Sequence, residues 1–147
     1  METLRITGAD IKDGKYIKGA IDFEGHIEIK GNLGWVSFTS IRAKGYIFAE
    51  AGTGIKAGEG IEAGEGIKAG EGIEAGTGIK AGWGIEAGTG IKAGEGIKAG
   101  GNISAGSRIF AGLMIWRKPI PEEMTIHCKK LTKGEVAYGI LEEGAHK

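Results

Sequence analysis

His127 and Cys128 come nearest to catalytic chemistry, a base and a thiol side by side. Neighbours on a strand point to opposite faces, so these two cannot form a nucleophile–base pair, and a structural role is expected. His26 and His146 have no partner at ligand spacing, and neither Cys-x-x-Cys nor His-x-x-x-His occurs. "GTGIKAG" at Gly52–Gly58 suggests a nucleotide loop, but the same string returns at Gly76–Gly82 and Gly88–Gly94, and no Walker motif occurs. Thr53, Thr77 and Thr89 are too scattered for the threonine ladder of an ice-binding face. No enzyme activity, cofactor or metal is therefore expected.

The residues suited to recognition are aromatic. Trp83 stands at a place otherwise held by Glu or Thr, and Phe48, Phe110 and Trp116 stand at places otherwise held by Lys or Glu. Those places point away from the apolar row, so these four residues are the expected protein-binding set. For Phe110 and Trp116, packing beneath the C-terminal segment is the competing expectation.

The elements that position them follow from a repeat. Isoleucine occupies every sixth position from Ile55 to Ile115, in units reading Ile-x-Ala-Gly-x-Gly with Lys and Glu largely alternating at the second place. The interval continues upstream through Ile11, Ile17, Phe23, Ile29, Trp35, Ile41 and Ile47, with two extra residues around Ala49–Gly52. So much glycine opposes a helix. Six residues suit a short strand and a corner, with Ile and Ala on one face and the charge between them on the other. The corner glycines are expected to supply backbone angles that a Cβ forbids. Ile21, Ile27 and Leu33 add apolar residues upstream, which implies coils that are either wider or face a partner on one side.

The charges set the number of sides. A two-sided coil would stack Lys56, Lys68 and Lys80 on one another at a spacing of about 4.8 Å, which is unfavourable. A three-sided coil of eighteen residues puts Lys56 on Glu74 and Glu74 on Lys92, Glu62 on Lys80, and Lys68 on Glu86. Thr53, Glu71 and Thr89 then share a corner, as do Glu59, Thr77 and Glu95, and Lys80 on Lys98 is an exception. The expected fold is all-β, a three-sided parallel β-solenoid of about six coils, roughly 29 Å tall.

Pro119 and Pro121 are expected to end the ladder. Alternation over Met124–Cys128 and Val136–Ile140 then predicts a β-hairpin that covers the open end or pairs with another chain. The organisation expected is a single domain, with residues 1–10 as an N-terminal cap, 11–118 as the solenoid and 119–147 as a C-terminal cap or oligomerisation hairpin. Lys plus Arg and Asp plus Glu are nineteen each in 147 residues, so no overall field draws in nucleic acid or an anionic membrane. One cysteine and no long apolar stretch make a membrane partner unexpected and a cytoplasmic location expected.

The Ile-x-Ala-Gly-x-Gly run resembles the short-repeat (hexapeptide-type) β-solenoids, a group that includes hexapeptide acyltransferases and bactofilins. It also resembles small β-helical products of phages and mobile elements. That resemblance implies a non-enzymatic protein-binding solenoid, in its most concrete form an inhibitor of a bacterial defence complex of the anti-CRISPR type. Its partner would be a host protein or protein complex. The alternative it implies is a bactofilin-like self-assembling scaffold, and a homo-oligomer fits either.

Overall fold

The computed structural model describes residues 1–114 and 118–144; Ile115, Trp116 and His146 lie outside the described residues. Three columns of short strands wind around one apolar core. The first face stacks Thr3–Ile6, His26–Ile29, Ile47–Ala49, Ile67–Ala69, Ile85–Ala87 and the start of the bent strand Ile103–Ala111. The second stacks Lys15–Tyr16, Gly34–Phe38, Thr53–Ala57, Ile73–Ala75, Ile91–Ala93 and the end of that bent strand. The third stacks Ile21–Phe23, Ile41–Ala43, Ile61–Ala63, Ile79–Ala81, Ile97–Ala99, Thr125–Cys128 and Ile140–Glu143. Seven strands on that face make seven turns, one more than the isoleucine row predicts.

In the pure repeat the register is the expected one. Ile61 pairs with Ile79 and Ile79 with Ile97, all in parallel, as an eighteen-residue coil requires. Every repeat isoleucine from Ile55 to Ile109 is buried, and the alanines two places on are buried with them. Glu71 N–H donates to the Thr53 carbonyl (3.0 Å) and Thr89 N–H to the Glu71 carbonyl (3.1 Å), so these three climb one corner. Thr77 and Glu95 climb another above Glu59, at 3.2 and 3.1 Å. Lys56 reaches Glu74 at 3.8 Å, Lys68 reaches Glu86 at 3.3 Å, and Arg42 reaches Glu62 at 3.2 Å.

The corner glycines have a different reason from the one expected. None between Gly54 and Gly106 has a positive φ. What the glycine after the alanine provides, from Gly64 to Gly106, is proximity. A Cβ on Gly82 would collide with the Gly64 carbonyl oxygen one coil below, and a Cβ on Gly100 would collide with that of Gly82. The second glycine of the unit is freer where Trp35 does not lie over it: a Cβ on Gly66 would meet nothing nearer than the Gly84 oxygen at 3.4 Å. Stacked backbones, not unusual dihedral angles, exclude a side chain here.

Two parts depart from the expected path. Upstream, the core row runs through Ile21, Ile27, Val36, Ile41 and Ile47, with Phe23, Ile29 and Phe38 at the alanine places. Ile17 and Trp35, expected inside, are 59% and 43% exposed. Two large inward residues per strand fill the base, where the middle coils use Ile and Ala. These coils are also longer, because the extra residues interlock. The Glu50 carboxylate accepts from Gly31 N–H (2.7 Å), while buried Thr53 donates to the Gly31 carbonyl (2.6 Å) and accepts from Leu33 N–H (2.9 Å).

At the other end the described residues form no hairpin. Thr125–Cys128 pairs in parallel with Ile97–Ala99, Ile140–Glu143 with Thr125–Cys128, and Leu131–Tyr138 with Ile103–Ala111. The prolines do not stop the ladder, because Thr125–Cys128 resumes it on the third face. Pro121 opens a 3-10 turn, Pro121–Met124, where a missing amide is tolerated, and Thr125 closes the turn with a 2.7 Å bond to the Pro121 carbonyl. Among the described residues no helix is long and apolar enough to cross a membrane.

Candidate interaction surface

Phe48 projects from the middle of Ile47–Ala49, between Glu28 one rung below and Lys68 one rung above. Lys68 turns its ammonium over the ring, 5.9 Å from the centroid, while holding Glu86 on the next rung. Such cation–π contacts are worth about 0.5–1 kcal/mol at exposed sites and orient the ring. Trp83 sits at the corner where the third face passes into the first. Its N–H donates to the Glu65 carbonyl (3.1 Å) and its carbonyl accepts from Gly101 (2.7 Å), so the backbone is fixed while the side chain is 62% exposed.

Phe48, Trp83 and Tyr46 line one groove of about 800 Å³ on the first face, with Glu65, Lys68 and Glu86. Tyr46 is held on three sides. Its ring stacks on His26 at 3.9 Å, its N–H donates to His26 Nδ1 (3.0 Å) and its hydroxyl donates to Glu28 (2.7 Å). The Glu28 hydrogen bond, then burial, pushes the Tyr46 hydroxyl pKa up, so it stays a donor. Arg5 and Lys30 approach Glu28 at 3.7 and 3.9 Å and anchor the floor of the groove.

Phe110 belongs elsewhere. It projects from the second face with Lys92 5.6 Å from its ring centroid, and Tyr138 occupies the next rung above it. The C-terminal strand therefore lies on the rung next to it. Phe110 shares a shallow pocket of about 280 Å³ with Trp35. The Trp35 indole lies over Gly54 and Gly72, whose missing Cβ atoms make room for it. Of the expected set, the groove unites Phe48 and Trp83, Phe110 is separate, and Trp116 lies outside the described residues.

Tyr46 and Trp35 were missed in the sequence for identifiable reasons. Tyr46 stands at a corner place where later coils have glycine, as at Gly66. Counting in sixes puts Trp35 inward, whereas Val36 and Phe38 fill the inward places of the same strand and put Trp35 outside.

The third face carries a second groove of about 720 Å³ along Arg42, Glu62, Lys80, Lys98 and His127. His127 faces outward there, 3.7 Å from Glu142, while Cys128 is buried on the opposite side of the strand. Burial, then the Glu143 carboxylate, pushes the Cys128 thiol pKa up, away from the reactive thiolate. Among the described residues no group of three His, Cys, Asp or Glu could hold a metal ion. Comparison with protein-family models, with curated proteins and with solved structures found no match.

Proposed function

We propose that this chain is a non-enzymatic protein-binding solenoid whose first face is the contact surface. The observation that carries the reading is the pairing of Phe48 with an exposed Trp83 in one groove on a strand scaffold. Aromatic side chains on a rigid frame lose little conformational entropy on binding, which suits them as anchors. In its most specific form the protein is a cytoplasmic inhibitor of a bacterial defence complex of the anti-CRISPR type, with a host protein or complex as target. Support for that form is the small repeat-built prism and its resemblance to β-helical products of mobile elements.

The test compares wild-type protein with Trp83→Ala and Phe48→Ala as baits in bacterial lysate, read by mass spectrometry, with circular dichroism confirming that each variant folds. A defence-complex subunit held by wild type and lost by both variants supports the reading. Identical captures by all three baits would remove the groove from consideration. A bactofilin-like scaffold is the second reading, favoured by the unpaired strand edge at the C-terminal end. Long filaments of the intact chain in electron micrographs would establish it instead.

A further inference from the structure

On the second face, the place just before each core residue is held in successive rungs by Trp35, Gly54, Gly72, Gly90 and Arg108. Three bare rungs thus lie between two large side chains. Trp35 covers two of them. A Cβ on Gly54 would stand 2.9, 3.0 and 3.1 Å from three adjacent atoms of its six-membered ring, and one on Gly72 would meet the far end of that ring at 2.6 Å. Such even distances mean that the ring lies broadside on the backbone. Its other face is turned to solvent, and the residue is 43% exposed.

Gly90 stays uncovered, and Arg108 stands one rung beyond it. Thr89 and Ser107 edge this gap on the corner side, Glu74 and Lys92 on the other, around the pocket of about 280 Å³. The fold leaves most of these polar groups unused. Among the described residues Arg108 has no ion pair, not even with Glu135 on the next rung, and the Thr89 and Ser107 hydroxyls have no hydrogen-bond partner. Lys92 has no carboxylate within ion-pair distance and lies over Phe110, while Glu74 has only the 3.8 Å contact with Lys56. An exposed aromatic plane with a few convergent polar groups is the composition of a small-ligand site.

We propose that this slot binds one acidic pyranose, a hexuronic acid residue, stacked on the Trp35 indole. A pyranose turns weakly positive axial C–H bonds toward the electron-rich face of the ring and its hydroxyls toward the rim. Thr89 and Ser107 both donate and accept there, and Glu74 accepts, which suits a ring with hydroxyls on every side. Arg108 receives the sugar carboxylate through two parallel N–H···O bonds, and Lys92 adds a second positive charge. From Gly72 to Arg108 is two rungs, roughly 10 Å, a distance that one sugar ring and the length of the arginine cover. A nucleobase would also stack on the indole, but it offers little to two hydroxyls and a carboxylate. The slot lies on a different face from the groove of Phe48 and Trp83, so it does not depend on that groove having a protein target.

Titrating the full chain with methyl β-D-glucuronide, methyl β-D-glucoside and adenosine monophosphate, followed by nuclear magnetic resonance, tests the assignment. Trp35→Phe identifies the Trp35 indole N–H signal. The glucuronide is expected to shift that signal saturably, with a dissociation constant on the order of 1 mM for so shallow a site. The glucoside is expected to bind at least about fivefold more weakly, because it lacks the charge that Arg108 receives. Arg108→Gln is expected to erase that difference and Trp35→Ala to abolish both shifts, with circular dichroism checking that each variant folds. No saturable shift at Trp35, equal shifts at Trp83, equal affinity for the two sugars in the wild-type chain, or tighter binding of adenosine monophosphate would each overturn the proposal.

Discussion

Lys80 and Lys98 occupy successive rungs of the third face, so the charge alternation seen below them at Arg42 and Glu62 fails at this step. Neither lysine has an ion-pair partner among the described residues, because Glu62 turns to Arg42 instead. Lys98→Glu would restore alternation from Lys80 through position 98 to His127. The variant is expected to gain on the order of 0.2–1 kcal/mol, a gain that fades in high salt. Thermal melts at two ionic strengths check it, and destabilisation at both would mean that the stacked lysines do not repel.

Glu74→Lys does the converse on the second face. It removes the 3.8 Å contact with Lys56 and aligns lysines at rungs 56, 74 and 92. Loss of stability is expected to be greater in low salt than in high salt, since these side chains are partly exposed and screened. Equal losses would argue against the ladder.

The two corner glycines separate cleanly. Gly82→Ala drives a methyl into the Gly64 carbonyl and is expected to cost at least about 1–3 kcal/mol through forced backbone movement. Gly66→Ala places its methyl at ordinary contact distance without a positive φ, and is expected to be neutral or to stabilise by up to about 1 kcal/mol by restricting the unfolded chain. Denaturant midpoints of the two variants, measured side by side, decide whether stacking or dihedral angle sets the glycine requirement.

Glu50 governs part of the acid response. The Gly31 N–H, then Lys30, hold its pKa below the usual 4.5. A carboxylate with a lowered folded pKa stabilises fully above its unfolded value and loses that contribution as pH falls through the folded one. Glu50→Gln is therefore expected to flatten the stability profile below about pH 4.5, seen by melting across pH 2–6. An unchanged acid limb would show that the loop interlock does not depend on the carboxylate.

The middle of the molecule was legible because one residue type does one job there. Ile79 can only be core, and Lys68 over Glu86 can only be satisfied by three sides. The base was misphased because Ile27 and Ile29 are both large and both inward, so apolarity no longer marks which of the two leads the strand. Over Met124–Cys128 the alternation holds, with Ile126 and Cys128 buried and His127 outward, whereas over Val136–Ile140 it does not, since Tyr138 and Ile140 are exposed. Alternation is the same for parallel and antiparallel partners, however, so it could not reveal that this segment extends the stack. The groove was half legible: Phe48 and Trp83 broke the repeat visibly, whereas Tyr46 broke it in the irregular coils where no strict pattern stood to be broken.

The constant eighteen-residue register of the middle coils makes the prism a ruler. Each coil touches only its neighbours, so removing or adding one leaves every other Ile-on-Ile and Ala-on-Ala contact as it was. The axial distance between surface features such as Phe48 and Trp83 is thereby adjustable in whole graduations of about 4.8 Å, with no redesign of the interior. A chain of this kind changes length by counting coils, leaving individual side chains to set the detail of its surface.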